Sequence, residues 1–143
     1  MHIRNMHAQD MEALAALYYQ FWNTPSNAEK MRAKFLSLQS DSAYIFLCAV
    51  EDERVVGSVT GTVCEELYGE CLPFLLVENM IVDKNFRRRG VGKTLFNELE
   101  QRAKEKGCRQ IILVTESDRE DARGFYASLG FHPTKNAGFK KKI

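Results

Sequence analysis

Apolar positions recur along the chain with two different periods, and the changes of period divide it into elements. Near the N-terminus Leu14, Leu17, Tyr18 and Phe21 fall at i, i+3, i+4 and i+7, one stripe of a helix that Asp10 can cap. Pro25 and Ser26 break that helix. Ser26 with Glu29 then reads as a capping box for a second, shorter helix with Met31, Phe35 and Leu38 on one side. Residues 43–50 form a nearly unbroken apolar run of strand length, rich in Tyr, Ile, Phe and Val. After a charged turn at 51–53, Val55, Gly57, Val59, Gly61 and Val63 alternate with Val56, Ser58, Thr60 and Thr62, which predicts a hairpin whose second strand has one wetter face.

Beyond a polar loop at 65–70, residues 74–82 have strand length, but Glu78 and Asn79 interrupt their apolar run. A basic turn with Gly90 and Gly92 opens a helix to Lys106, with Leu95, Leu99 and Ala103 on one face and Gly107 as its C-cap. Residues 111–114 read as a short strand. Ser117 and Glu120 form another capping-box pattern before the stripe Ala122, Phe125, Tyr126, Leu129, and Gly130 ends that helix. A last strand is expected within 131–139, although Pro133 and Gly138 disturb it. The order is strand, two helices, three strands, helix, strand, helix, strand. It predicts a mixed-sheet α/β or α+β fold, with residues 1–143 as one domain.

Composition narrows the class without naming a partner. With 45% hydrophobic and 27% charged residues, 9 Gly and 3 Pro, the chain reads as globular rather than disordered. Lys+Arg 20 against Asp+Glu 19 leaves +1, which argues against nucleic acid as a partner. Cys48, Cys64, Cys71 and Cys108 lack a Cys-x-x-Cys spacing, so free, buried thiols in a reducing, cytoplasmic compartment are expected. The N-terminal residues contain no apolar leader segment, no stretch approaches the roughly 18 apolar residues of a membrane span, and His2, His7 and His132 show no metal-ligand spacing.

Candidate chemistry concentrates at 82–94, where a strand end leads through a basic, glycine-bearing turn into a helix. Glycines let a backbone approach an anion, and the first N–H groups of a helix have no intrahelical partner. Arg87, Arg88, Arg89 and Lys93 add positive charge. The pattern fits either a phosphate site or a solvated basic turn with a glycine cap. A P-loop would need glycine at 87, where Arg87 stands, and a dinucleotide fingerprint would need one at 95, where Leu95 stands.

Arg87-Arg-Arg-Gly90-Val-Gly92 between a strand and a helix, with Ala122-Arg-Gly-Phe125-Tyr126-Ala-Ser-Leu-Gly130-Phe131 near the C-terminus, resembles the two signatures of the GNAT superfamily of acetyl-CoA-dependent N-acetyltransferases. The resemblance implies a single domain with a mixed, mostly antiparallel sheet whose fourth and fifth strands splay apart, flanked by helices. It also implies acetyl transfer from acetyl-CoA, as cosubstrate and without a metal, to a primary amine. The pyrophosphate would lie on the turn of Arg87, Arg88, Arg89, Gly90, Val91 and Gly92 with Lys93 and Thr94. The pantetheine arm would lie along Met80, Ile81 and Val82, whose backbone would hold the thioester oxygen, with Phe125 and Tyr126 on the cofactor side.

In the same family pattern Tyr126 is the general acid, and Arg119 stands where asparagine is common. Glu78, four residues before Val82 where relatives place a carboxylate or imidazole, is the candidate general base; burial among Leu76, Val77, Met80 and Ile81 would raise its pKa. The first two helices and the loop before the fourth strand would meet the acceptor, with Tyr18, Tyr19, Trp22, Glu65, Glu66, Tyr68 and Glu70 available to a cationic amine. A small-molecule amine is the expected acceptor; a protein lysine or N-terminus, or a non-catalytic CoA sensor, are the alternatives. A homodimer through exposed late strands is also expected.

Overall fold

The computed structural model describes residues 1–143, which divide into two compact units, 1–112 and 113–143. The first contains β1 (His2–Asn5), a 3₁₀ turn (Ala8–Asp10), α1 (Met11–Trp22), α2 (Ala28–Leu38), β2 (Tyr44–Glu51), β3 (Arg54–Cys64), β4 (Phe74–Val82), a second 3₁₀ turn (Lys84–Phe86) and α3 (Val91–Glu105). The boundary falls within β5 (Ile111–Leu113), and the second unit carries α4 (Glu120–Ser128). The sheet order is β1-β2-β3-β4-β5. The first four strands are antiparallel, whereas Arg109 N–H donates to Pro73 O at 2.8 Å and Leu75 N–H to Gln110 O at 3.0 Å. Residue numbers rise together across that pair, so β5 starts parallel to β4 and the sheet is mixed, as the order of elements predicts.

The alternation of β3 sorts the layers. A Cβ on Gly57 would lie 3.0 Å from Leu95 Cδ1, and one on Gly61 would lie 2.9 Å from Leu99 Cδ1 and 3.0 Å from Leu75 Cδ1, so α3 rests on the glycine face. Leu95, Phe96 and Leu99 are fully buried there with Val59, Leu75 and Val91. On the opposite face, Tyr18 of α1 neighbours Ser58, and Met11, Leu14 and Phe35 form a core cluster with Cys48 and Val50. The face expected to be wetter is covered by α1, and Ser58 is wholly buried. The hairpin between β2 and β3 turns at Asp52 and Glu53, both left-handed (φ 48° and 60°), the twist that tight two-residue turns require.

Several local expectations are corrected. Asp10 precedes α1 but does not cap it; its buried carboxylate takes two hydrogen bonds from Arg4, at 2.7 and 2.8 Å, and one from His7 N–H at 2.7 Å. Burial pushes that carboxyl up, but the Arg4 and His7 bonds outweigh it and hold the group below the usual carboxylate range. Asn27, not Ser26, caps α2 by accepting from Lys30 N–H at 2.9 Å, because the helix starts one residue later than the box pattern suggests. Phe21, placed on the apolar stripe of α1, is 38% exposed. All four cysteines are free as expected, but only Cys48 is buried and Cys71 is exposed.

In the second unit α4 begins without a side-chain cap from Ser117. Residues 131–143 form no strand, so the last expected strand is absent. Pro133 cannot donate to a ladder, and Gly138 packs on the Val114 side chain, 3.5 Å from its potential Cβ. No helix is long and apolar enough to cross a membrane.

The close approach of α3 to β3 yields a stability prediction. Gly61→Val should lower unfolding free energy by about 1–3 kcal/mol, because the added methyls displace Leu99 and Leu75. Urea denaturation followed by circular dichroism measures it, and a midpoint equal to the parent's would mean the helix is not seated on that glycine.

Candidate active site

The interruption at Glu78 and Asn79 is a β-bulge. Ser58 pairs with Ile81 and Thr60 with Glu78, so Val59 alone faces both Asn79 and Met80. Asn79 takes the left-handed conformation, φ 53°, which asparagine tolerates better than any β-branched residue. Such a bulge leaves the extra residue's backbone out of the ladder, so an amide donor becomes available in mid-strand. Glu78 pairs with Thr60, two residues from Ser58, and therefore lies on the α1 face of the sheet. It is exposed there, which corrects the expectation that it is buried among its apolar neighbours. The bulge lifts this segment away from regular packing.

Five residues further on, the strand hands over to the basic turn. Asp83 N–H donates to Val56 O at 2.9 Å as the last link to β3, and Asp83 Oδ1 accepts from Asn85 N–H at 2.8 Å to cap the second 3₁₀ turn. The Asp83 side chain is buried, with Gln20 Nε2 of α1 donating to its Oδ2 at 3.0 Å. Burial raises its pKa, but the bonds from Gln20 and Asn85, with the charges of Arg54 and Lys84, bring it below the ordinary value. Arg88 (φ 60°) and Gly90 (φ 83°) are both left-handed, a reversal that brings the chain round to the first turn of α3.

That helix end has the properties of an anion site. No side chain caps it, its first turn carries no acidic residue, and a Cβ on Gly90 would meet nothing within 4 Å. The N–H groups of Val91, Gly92 and Lys93 lie in the first helical turn, where no intrahelical acceptor precedes them, and the helix dipole reinforces them. Thr94 has already joined the helix, with its N–H and Oγ1 both on Gly90 O, at 3.0 and 3.1 Å.

The three arginines differ in role. Arg87 Nε donates back to Val82 O at 3.2 Å, and Arg89 pairs with Glu51 at 2.7 Å while lying 4.8 Å from the Phe86 ring centroid. Both brace the turn from outside. Arg88 and Lys93 are exposed.

Among the acceptor-side residues, Tyr19 and Trp22 are about half exposed and Tyr68 more so, whereas Tyr18 is half-buried and its phenol is pushed up to about 12, mainly by burial. Glu66 is not available to an incoming amine in the way the sequence suggests. Arg109 binds it at 2.7 Å and lies 5.3 Å from the Tyr68 ring centroid, tying the two residues together.

In the second unit, Tyr126 is half-buried between Phe125 and Phe131, with ring centroids at 5.2 and 5.8 Å. Burial raises its phenol pKa, opposed by the charge of Arg119. Arg119 pairs with Asp121 at 3.1 Å. The contact between Gln20 and Asp83 is one that sequence reasoning missed: Asp83 followed by Asn85 is a weak turn signal, and a contact 63 residues away leaves no local trace.

Comparison with known proteins places this geometry in a family. Residues 9–131 match the Acetyltransferase (GNAT) family, and the chain belongs to it. It is 27% identical over 145 residues to an aminoglycoside N(6')-acetyltransferase type 1 of Salmonella enteritidis, covering 99% of both chains. It is 28% identical over 110 residues to glucosamine 6-phosphate N-acetyltransferase 1 of Oryza sativa subsp. japonica, covering 75% of this chain and 65% of that one. In fold it matches glucosamine-6-phosphate N-acetyltransferase of Arabidopsis thaliana (TM-score 0.88, 20% identity, 99% and 97% of the two chains). It also matches an aminoglycoside N-acetyltransferase AAC(6')-Iy in complex with CoA (TM-score 0.82, 23% identity, 99% and 93%). The protein is thus an acetyl-CoA-dependent N-acetyltransferase acting on amines.

The left-handed bulge residue gives a test of β4. Asn79→Gly should leave stability within experimental error, whereas Asn79→Val should cost about 1–2 kcal/mol. Chemical denaturation of both variants checks this, and equal midpoints would argue against a bulge at 79.

Proposed function

We propose that the chain transfers an acetyl group from acetyl-CoA to a primary amine of a small molecule, with amino sugars and aminoglycosides as the acceptors to test first. The observation that carries the reading is the uncapped N-terminus of α3, preceded by two left-handed turn residues, in a chain of this family. Two relatives named for sugar-amine acceptors, one of them matched along almost its whole length, support the acceptor class. Acetyl-CoA supplies an activated thioester and a pyrophosphate handle. The residues present fit that handle, since the first turn of α3 is free of carboxylates and open at Gly90.

Each group in the chain then has a defined task. Backbone N–H groups from Arg88 to Lys93 bind the pyrophosphate, with Arg88 and Lys93 adding charge, while Arg87, Arg89 and Thr94 hold the turn in shape. Glu78, exposed on the α1 face, takes the proton that an ammonium must lose before it can attack, directly or through one water. Amides of residues 80–82 beyond the bulge donate to the thioester oxygen as it gains negative charge. Tyr126 gives its proton to the departing thiolate; with its pKa raised by burial, it remains protonated across the neutral range. Phe125 and Arg119 complete the cofactor side.

Isothermal titration with acetyl-CoA and a thiol-release assay across sugar amines, aminoglycosides and lysine peptides test the proposal. Tyr126→Phe should lower kcat roughly 100-fold or more with CoA affinity nearly intact. Glu78→Gln should lower kcat roughly 100-fold, because an amide of the same shape cannot accept the proton that the ammonium must lose. Unchanged turnover in either variant would reject that residue's role. Gly90→Glu should weaken CoA binding roughly 100-fold, since it strains a left-handed position and sets a carboxylate at the phosphate turn. Retained affinity would place the pyrophosphate elsewhere.

A further inference from the structure

Gln20 is an exposed residue on the last turns of α1, yet its amide makes two hydrogen bonds to a segment more than 60 residues away. Nε2 donates to the buried Asp83 carboxylate at 3.0 Å, and Oε1 accepts from Lys84 N–H at 3.1 Å. Asp83 and Lys84 are the first residues after β4, and the 3₁₀ turn that Asp83 caps leads directly into Arg87 and Arg88. A single side chain thus joins the helix that carries Tyr19 and Trp22 to the entrance of the phosphate turn. Only a primary amide of this length presents a donor and an acceptor together; a carboxylate would face Asp83 with like charge, and an aliphatic chain would leave the Lys84 N–H and part of the Asp83 carboxylate without their partners.

We infer that Gln20 is a positioning residue that fixes the phosphate turn and transmits its occupancy to the acceptor-side end of α1. The inference rests on the reading of the turn as the pyrophosphate site. Its physical basis is reciprocity: if binding at 87–93 favours one arrangement of Asp83 and Lys84, the helix bonded to them is biased too, and an acceptor held by that helix tightens cofactor binding by the same factor.

Trp22, two residues from Gln20, is the chain's only tryptophan and is packed edge-on against Tyr18 and Phe21 at 5.2 and 4.7 Å. Its fluorescence therefore reports on this end of α1 alone. The experiment titrates CoA into the parent protein, Gln20→Leu and Gln20→Asn, the last retaining the amide on a stem too short to reach both partners. Binding is read by calorimetry and the helix by Trp22 emission. In the parent, CoA should bind and shift the emission. In both variants affinity should fall roughly 3- to 10-fold, and the emission should stay unchanged at saturating CoA. A Trp22 response that persists in the variants at saturation, an unaltered affinity, or a parent that binds CoA without any response would overturn the inference. A parent that does not bind CoA at all would instead reject the assignment of the phosphate turn.

Discussion

Two missing side chains on β3 set the position of everything that follows. Because Gly57 and Gly61 present no Cβ, α3 sits directly against the sheet, with Leu95 and Leu99 occupying the space that side chains would otherwise fill. This contact fixes where the helix begins as well as where it packs. Its first turn is delivered to the end of β4, with its unpaired N–H groups at the mouth of the basic turn. A bulkier β3 would push the helix outward and carry its uncapped first turn with it. The placement of that helix end thus depends on two positions that carry no side chain.

The opposite face of the same strand seats α1. Ser58 and Thr60 alternate with the glycines, so one strand seats α3 on one side and α1 on the other. The two sides are not independent, because the Asp83 carboxylate closes the strand end and is bonded from α1. Buried charge of this kind is stable only when fully hydrogen-bonded, and here the bonds come from the two segments whose relative placement matters.

Much of this was legible in the chain itself. The hairpin, the basic turn and α3 were readable because each is encoded locally, through alternation, glycines and a 3.6-residue stripe. The family signatures added the cofactor. What escaped was decided by tertiary contact or by parity. Asp10 looks like a cap, but Arg4 across the turn claims its carboxylate. Glu66 looks free until Arg109, brought alongside by the first pairing of β4 and β5, occupies it. Glu78 reads as buried among apolar neighbours, but it sits just before the bulge on the α1 face of the sheet and is exposed. The Gln20 bridge had no local signature to find.

That change of phase has a further meaning. Before the bulge, the odd-numbered Leu75 and Val77 face α3, whereas beyond it Ile81 pairs with Ser58 and Val82 with Gly57, so even numbers now do so. Subtracting the one extra residue would leave Ile81 and Val82 on the faces they already occupy, and the strand would close as an ordinary ladder. The opening in β4 is therefore an addition to a sheet that is complete without it. The fold thus tolerates a local break in its central ladder at the cost of a single residue.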